Sequence, residues 1–391
     1  MKESSTILII GPTPPPFHGV SAATRILLDS LASQRFSVIH LDTADRRGIA
    51  HVDQPDLWDV LLFLRQWVAC LFMLVRNRPQ ICYLPLSQSR IGFIRDSFFM
   101  LPAFFVEASV VAHLHGGNFD QVYAQGGRVF QRYVDVVLRR VAKYVVLGNM
   151  LKPMFSPWAT PECVAVVPNG VPDFFATERG EKETGNPAKF RVVFLSTLSR
   201  QKGLFVLIDA MALVAAESPE AELHIAGPWW GTGTEEMAHR QVLATRLTER
   251  VIFHGPLVGE NKMRFLRLGD VFVFPGLQQE GQPLTVLEAM SAGLPVIATD
   301  RGCLRETVVE NVTGFIVPPN SPIAIAERLL FFIRDRSAQE KFGRNARRRY
   351  EQEYTMSIFA ARMGDVFSHV MRPDCQENQT EMKSTHGSTC L

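Results

Sequence analysis

Two glutamates eight positions apart, Glu280 and Glu288, lie within FPGLQQEGQPLTVLEAMSAGLPVIATD, residues 274–300. Pro283 suits the first turn of a helix, where its missing N–H costs little. A helix starting there leaves the amides of Leu284 and Thr285 free, and free amides at a helix N-terminus receive anions such as phosphate. Glu288 then lies one to two turns in. A carboxylate only accepts hydrogen bonds, so it suits the adjacent hydroxyls of a ribose. The plainer alternative makes Glu288 a surface helix residue beside core Leu287 and Met290. Upstream, STLSRQKGLFVLIDA places Arg200 and Lys202 in a loop before a helix that opens at Gly203. Two cations and a helix N-terminus make a natural diphosphate clamp; two solvated surface charges are the other reading.

The first half carries weaker signals. After ILII comes GPTPPPFHGVSAATRILL, where Pro12, Pro14, Pro15 and Pro16 stiffen the loop in extended form and Gly19 turns the chain tightly into a helix. Amides at that helix start are suited to an anion or sugar, or the loop is only a rigid connection. AHLHGGNF places His113 and His115 at alternate positions, which predicts opposite faces. His115 stands at a strand end beside Gly116 and Gly117, and glycines there let a ligand approach the backbone. No third ligand is spaced with the pair, so no metal site is expected. No GxGxxG follows a strand, which argues against a nicotinamide enzyme.

These residues need elements to position them, and the pattern alternates short β-branched runs with helical stretches, the mark of parallel α/β layers. Strands are expected at 7–10, 37–41, 81–86, 109–115, 144–148 and 164–170, with helices near 21–32, 57–76, 91–106 and 124–140 between them. Polar, Gly/Pro-punctuated residues 172–188 break the pattern. A second series follows, with strands at 191–196, 222–227, 251–255, 271–275, 295–300 and 314–319 and helices continuing to about 371. Open sheets of this kind bind ligands beyond the carboxyl ends of their strands, where the singled-out residues fall.

Bulk properties narrow the class. A length of 391 residues allows two domains, and 47% hydrophobic with 20% charged residues fills two cores. The net charge of +2 is too balanced for a nucleic-acid partner. Six scattered cysteines without CxxC pairs, and an N-terminal apolar run too short for a signal peptide, lead us to expect a reduced cytoplasmic protein. Residues 58–75 and 91–111 are apolar enough to need a membrane check. Asp59 and Arg65 interrupt the first, Arg95, Asp96 and Glu107 the second. Both are read as helices packed largely within the protein, with an interfacial role for an exposed apolar edge as the alternative.

The segment 280–300 resembles family 4 of the retaining glycosyltransferases, whose Glu-x7-Glu string it matches through Glu280-Gly281, Leu287-Glu288-Ala289-Met290 and Ser291 to Asp300. Pro168-Asn169-Gly170-Val171, Gln201-Lys202-Gly203, Ala226-Gly227, Phe253-His254-Gly255 and Thr313-Gly314 match in order and spacing, over roughly residues 7 to 370. The resemblance implies the α/β GT-B fold, two Rossmann-like doubly wound parallel-sheet domains facing a cleft. We place them at 1–172 and 190–353, with a linker at 173–189, a helix at 354–371 crossing back to the first domain, and a disordered tail at 372–391.

By resemblance, Glu288 holds the donor ribose, Glu280 lies near the donor sugar, and Lys202 neutralises the diphosphate. His115 approaches the sugar from the first domain, Gly19 lines the diphosphate side, and Gly227 belongs to the donor set with Arg200, Gln282, Leu284 and Thr285. The chain departs from the family pattern at three places. Ser196-Thr197 stands for Gly-Arg, leaving Arg200 as the replacement cation. Gly281-Gln282-Pro283-Leu284 stands for Gly-Phe-Gly-Leu, with Gln282 a candidate reader of a sugar hydroxyl. His18-Gly19 stands for Gly-Gly. The implied activity is retaining, metal-independent transfer of a sugar from a nucleoside diphosphate to a glycan or lipid-linked hydroxyl, in cell-surface polysaccharide or glycolipid synthesis. No cofactor, no nucleic acid and a location in the cytoplasm, peripheral at the inner face of the membrane, complete the expectation. A sugar-nucleotide epimerase of the same fold and a non-catalytic sugar-nucleotide-binding subunit are the competing readings.

Overall fold

The computed structural model describes residues 5–32, 36–47, 56–176 and 189–371. The chain divides into two units, one of residues 1–170 with 356–391, the other of residues 171–355. Most of the linker assigned to 173–189 and all of the tail assigned to 372–391 lie outside the described residues.

The first unit runs β1 (Thr6–Gly11), α1 (Gly19–Leu31), β2 (Ser37–Asp42), α2 (Leu57–Asn77), β3 (Ile81–Pro85), α3 (Arg90–Phe105), β4 (Ser109–Leu114), α4 (Phe119–Ala124), α5 (Gly127–Leu138), β5 (Lys143–Val146) and β6 (Val164–Val166). Its sheet is parallel in the order β2-β1-β3-β4-β5-β6. Ile7, Leu8, Ile9 and Ile10 are all buried, as a strand covered on both faces requires. Helix α1 opens on a capping box in which the His18 ring accepts from the Ser21 amide and the Ser21 hydroxyl accepts from the His18 amide. The helix expected at 124–140 is α5, and a short α4 precedes it, the chain turning between them at Gly126 and Gly127, the latter with φ of 72°.

The second unit runs β7 (Phe190–Leu195), α6 (Leu204–Glu217), β8 (Ala221–Ala226), α7 (Thr234–Ala244), β9 (Val251–Phe253), α8 (Gly259–Leu268), β10 (Val271–Phe274), α9 (Leu284–Ser291), β11 (Val296–Thr299), α10 (Leu304–Thr307), β12 (Gly314–Val317), α11 (Pro322–Arg334) and α12 (Arg336–Glu353). Its sheet, also parallel, has the order β12-β11-β10-β7-β8-β9. Successive connections leave β7 toward β8 and β10 toward β11, in opposite directions. The strand order therefore reverses between β7 and β10, and open sheets of this kind bind ligands beyond the carboxyl ends of the strands at such a point.

The last helix, α13 (Met356–Val370), belongs to the first unit. Phe359, Met363, Val366, Phe367 and Val370 share one core with Ile7, Ile9, Leu27, Tyr83 and Val111. The Phe367 ring meets Tyr83 edge-on at 6.1 Å. Within the second unit its two chain ends lie together. The Val171 amide donates to the Tyr354 carbonyl at 2.9 Å, the Tyr350 hydroxyl donates to the Val171 carbonyl, and Arg347 grips both Asp173 oxygens at 2.7 and 2.6 Å.

One expectation fails. Residues 58–75 were read as packed largely within the protein, but only Gln66, Cys70 and Leu74 of α2 are buried. The apolar residues of this helix outnumber the positions that face the sheet, so the surplus meets solvent. Helix α3 is better packed, burying Phe93, Phe99, Met100 and Ala103, yet it exposes Ile91 and Phe105.

Candidate functional site

Of the residues singled out in the second half, Lys202 and Glu280 meet beyond β7 and β10, beside the start of α9. The two loops touch directly, the Leu277 amide donating to the Gln201 carbonyl at 2.8 Å. Gly203 makes the approach possible: its φ is 81°, and a Cβ there would lie 1.9 Å from the Pro275 carbonyl oxygen. Lys202 Nζ consequently reaches Glu280 Oε1 at 2.6 Å, and Gln278 Nε2 donates to the same oxygen at 3.1 Å. Lys202 also stands 5.8 Å from the Phe274 ring centroid. A third loop, after β11, closes on the other side. The Gly302 amide donates to Gln279 Oε1 at 2.8 Å, the Cys303 amide to the Gly281 carbonyl at 3.1 Å, and Arg301 Nε to the Leu277 carbonyl at 3.0 Å. Three loops thus fix the backbone around Glu280, which is itself buried.

Helix α9 starts immediately after this loop. Pro283 is its N-cap, with extended φ and ψ and no side-chain cap, and Leu284 and Thr285 are half-buried in its first turn. The early amides of the helix thus have no side-chain cap in front of them, which favours an anion there. Glu288 follows in the second turn and is buried. Lys262 Nζ of α8 meets its Oε1 at 2.5 Å, while its Oε2 has no hydrogen-bond partner among the described residues. A buried carboxylate oxygen left unpaired is costly, and a donor hydroxyl from a ligand would satisfy it.

Three of the expected donor residues are placed differently from the clamp. Arg200 is exposed with its guanidinium stacked 4.9 Å from the Phe205 ring centroid. Gln282 turns inward: its Nε2 donates to Thr307 Oγ1 at 3.0 Å in a buried pair, so its amide serves the protein rather than a sugar hydroxyl. Gly227 ends β8 with φ of 141°, its amide donating to the Gly255 carbonyl at 2.9 Å.

In the first unit, Gly19 opens α1 with nothing within 4 Å of where a side chain would stand. The prolines before it do not form a straight run, since residues 14–16 are bent. The expectation that His113 and His115 face opposite ways is wrong. Strand β4 ends at Leu114, so alternation stops before His115, and the two rings lie 3.9 Å apart. Tyr83 Oη lies 2.8 Å from His113 Nδ1 and 3.5 Å from His115 Nε2. Burial lowers the pKa of both rings, His115 to about 4, so both are neutral near pH 7. Burial also pushes the Tyr83 phenol up, keeping its proton in place. The room at Gly116 is used by Gln88, whose amide nitrogen sits 1.8 Å from a would-be Cβ and whose oxygen accepts from the Asn118 amide.

Sequence reasoning missed Lys262, Gln278 and Tyr83. Lys262 and Glu288 are 26 residues apart, on two helices whose adjacency only the sheet order creates. Tyr83 and His113 reflect the pairing of β3 with β4. Gln278 lay inside the recognised segment and was passed over for its acidic neighbour.

Residues 177–349 match the family described as glycosyl transferases group 1. A putative glycosyltransferase of Bacillus subtilis, YtcC, is 30% identical over 196 residues, 49% of this chain and 48% of that protein. A phosphatidyl-myo-inositol mannosyltransferase of Mycobacterium tuberculosis is 29% identical over 284 residues, 70% of this chain and 71% of its own length. Several of the curated relatives are spanned over only about half their length. Among solved structures, Anabaena HepE in complex with UDP-glucose superposes with a TM-score of 0.69 at 17% identity, covering 93% of this chain and 99% of that one. The strand orders and this superposition give the chain the α/β two-domain GT-B fold, and its second unit carries the match to glycosyl transferases group 1.

Proposed function

We propose that the protein is a glycosyltransferase that moves a sugar from a nucleoside diphosphate to a hydroxyl of a glycan or lipid-linked acceptor, in cell-surface polysaccharide or glycolipid synthesis. The observation that carries this reading is the meeting of Lys202 and Glu280 beside the start of α9, beyond β7 and β10, with Glu288 Oε2 unpaired among the described residues one turn on. The family match and the relatives named as glycosyltransferases support it. The UDP-glucose held by HepE supports a nucleotide-sugar donor.

In this reading Glu288 Oε2 accepts from the ribose, and the amides of Leu284 and Thr285 face the diphosphate. Negative charge grows on the β-phosphate as the glycosidic bond breaks, and Lys202 answers it with no reorganisation. Arg200 adds positive charge at the rim, and Gly227 keeps backbone close to the nucleotide. Configuration is retained by attack from the face the phosphate leaves, with that phosphate taking the acceptor proton. Glu280 is then a positioning partner of Lys202, not a nucleophile. No metal or cofactor is needed, and the protein works in the cytoplasm.

A thermal-shift panel of UDP, GDP and ADP sugars tests the reading, because a ligand that binds the folded state raises its melting temperature. Incubation of the best binder with and without acceptor then separates transfer from epimerisation, which makes a new nucleotide sugar unaided, and from mere binding, which makes no product. No shift with any nucleotide sugar rejects the proposal.

A further inference from the structure

Helix α2 presents two unlike faces. Gln66, Cys70 and Leu74 turn inward. Leu57, Leu61, Leu64, Val68, Phe72 and Val75 are exposed, each by 46% or more. At about 100° per residue these six fall within an arc of about 80°, one continuous stripe. Apolar residues exposed singly need no explanation, but a contiguous patch does. Helix α3 extends it with Ile91, Ile94, Phe98 and Phe105, exposed at spacings of three, four and seven. The helices join at Phe98, whose ring lies 5.7 Å from Phe63 and whose carbonyl accepts from Trp67 Nε1 at 2.9 Å.

The charges beside the stripe have one sign. Arg65 and Arg76 are exposed along the same flank of α2 as Trp58, and Arg78 follows at its end. The acids of both helices are occupied: Asp59 pairs with Arg47 and accepts from the Asp56 amide in the capping box of α2, and Asp96 is buried against Arg95. Asp56, the N-cap of α2, is exposed but pairs with Arg47, and Glu107, past the end of α3, is a further exposed acid among the described residues. An apolar stripe with arginines and a tryptophan on its flank fits the headgroup boundary of an anionic membrane.

We infer that α2 and α3 seat the protein on an anionic phospholipid bilayer, α2 lying in the plane of the surface with its stripe among the acyl chains and Arg65 and Arg76 on lipid phosphates. Helix α2 is long and apolar enough to cross a membrane. Its inward face, however, packs in its own unit beside β2 and α3, and crossing would strip that face and take Arg65 into hydrocarbon. A second copy is a poorer occupant, because two-fold pairing of the stripes brings arginine rims together. The inference is independent of the sugar-transfer reading.

The test is co-sedimentation of the full chain with vesicles of phosphatidylcholine alone and of phosphatidylcholine with phosphatidylglycerol. Binding should be at least tenfold tighter to the anionic vesicles and weaken with salt. R65Q/R76Q should lower that affinity more than tenfold, at about fivefold for each arginine lost. V68S/F72S, at exposed positions, should lower it similarly while the melting temperature stays within a few degrees. Failure to bind either vesicle overturns the inference, as does unchanged binding by V68S/F72S. Resistance of membrane-bound protein to alkaline carbonate extraction would show a spanning helix instead. A dimer abolished by V68S/F72S would assign the stripe to a second copy.

Discussion

Lys202 Nζ lies 2.6 Å from Glu280 Oε1 although 78 residues separate them in the chain. The contact exists because β7 and β10 are neighbours at the point where the sheet order reverses, so their loops leave side by side. The carboxylate aims the ammonium, and an arriving phosphate would find the cation already oriented.

Lys202→Ala should lower turnover about a hundredfold or more, since losing one preorganised donor costs about 2.7–4 kcal/mol of barrier. Initial rates at saturating donor check this. Near-normal turnover would reject the clamp.

Glu288→Gln should weaken nucleotide binding more than it slows chemistry. Titration of nucleotide beside single-turnover rates separates the two. Lys262→Met leaves the buried Glu288 carboxylate unmatched and should lower stability by about 2 kcal/mol, allowing for the partly exposed lysine. Adding Glu288→Gln to Lys262→Met should restore part of that loss in denaturant titrations.

Gly302→Ala attacks the site through its backbone. With φ of 51°, the new Cβ would stand 1.5 Å from the Glu280 carbonyl oxygen, so the 277–281 loop must move. The change should abolish nucleotide-induced thermal shift and destabilise by about 2–3 kcal/mol. A variant that keeps its nucleotide shift would show that the loop is free to adjust.

The histidine pair makes the first unit acid-sensitive. Burial lowers the folded-state pKa of His115 to about 4, below the value of about 6.5 of an unfolded histidine, and lowers that of His113 as well. The unfolded chain therefore binds more protons between those values. The stabilisation is complete above about pH 6.5 and is lost as pH falls toward 4. Melting temperature should drop over that interval, and His113→Phe should flatten the slope. An unchanged slope would locate the acid sensitivity elsewhere.

Under the proposed arrangement, in which Lys202 and helix amides supply the charge set against the diphosphate, activity should survive EDTA. Loss of activity that added magnesium restores would contradict this.

Local patterns carried most of the architecture. Ile7 to Ile10 and Val192 to Leu195 read as strands because both of their faces are covered, and Pro283 announced the start of α9. Glu280, Glu288 and Lys202 were legible because their surroundings follow a familiar order. What stayed hidden depended on tertiary neighbours. Gln282 gave no sign of its partner Thr307, 25 residues away. His115 looked like a strand residue because nothing local says that β4 stops at Leu114. The apolar run of α2 was misjudged because composition reports hydrophobicity and not which face has something to cover it.

Helix α13 completes the first core from beyond the end of the second unit. A ribosome that has delivered β1 to β6 must still translate 171–355 before that covering helix exists. At about 5–20 residues per second, the interval is about ten to forty seconds. Throughout it the faces of Ile9, Leu27 and Tyr83 lie open while the later unit is free to finish. The unit translated first is thus the last to close, and the nascent chain must be shielded from aggregation at its beginning, not its end.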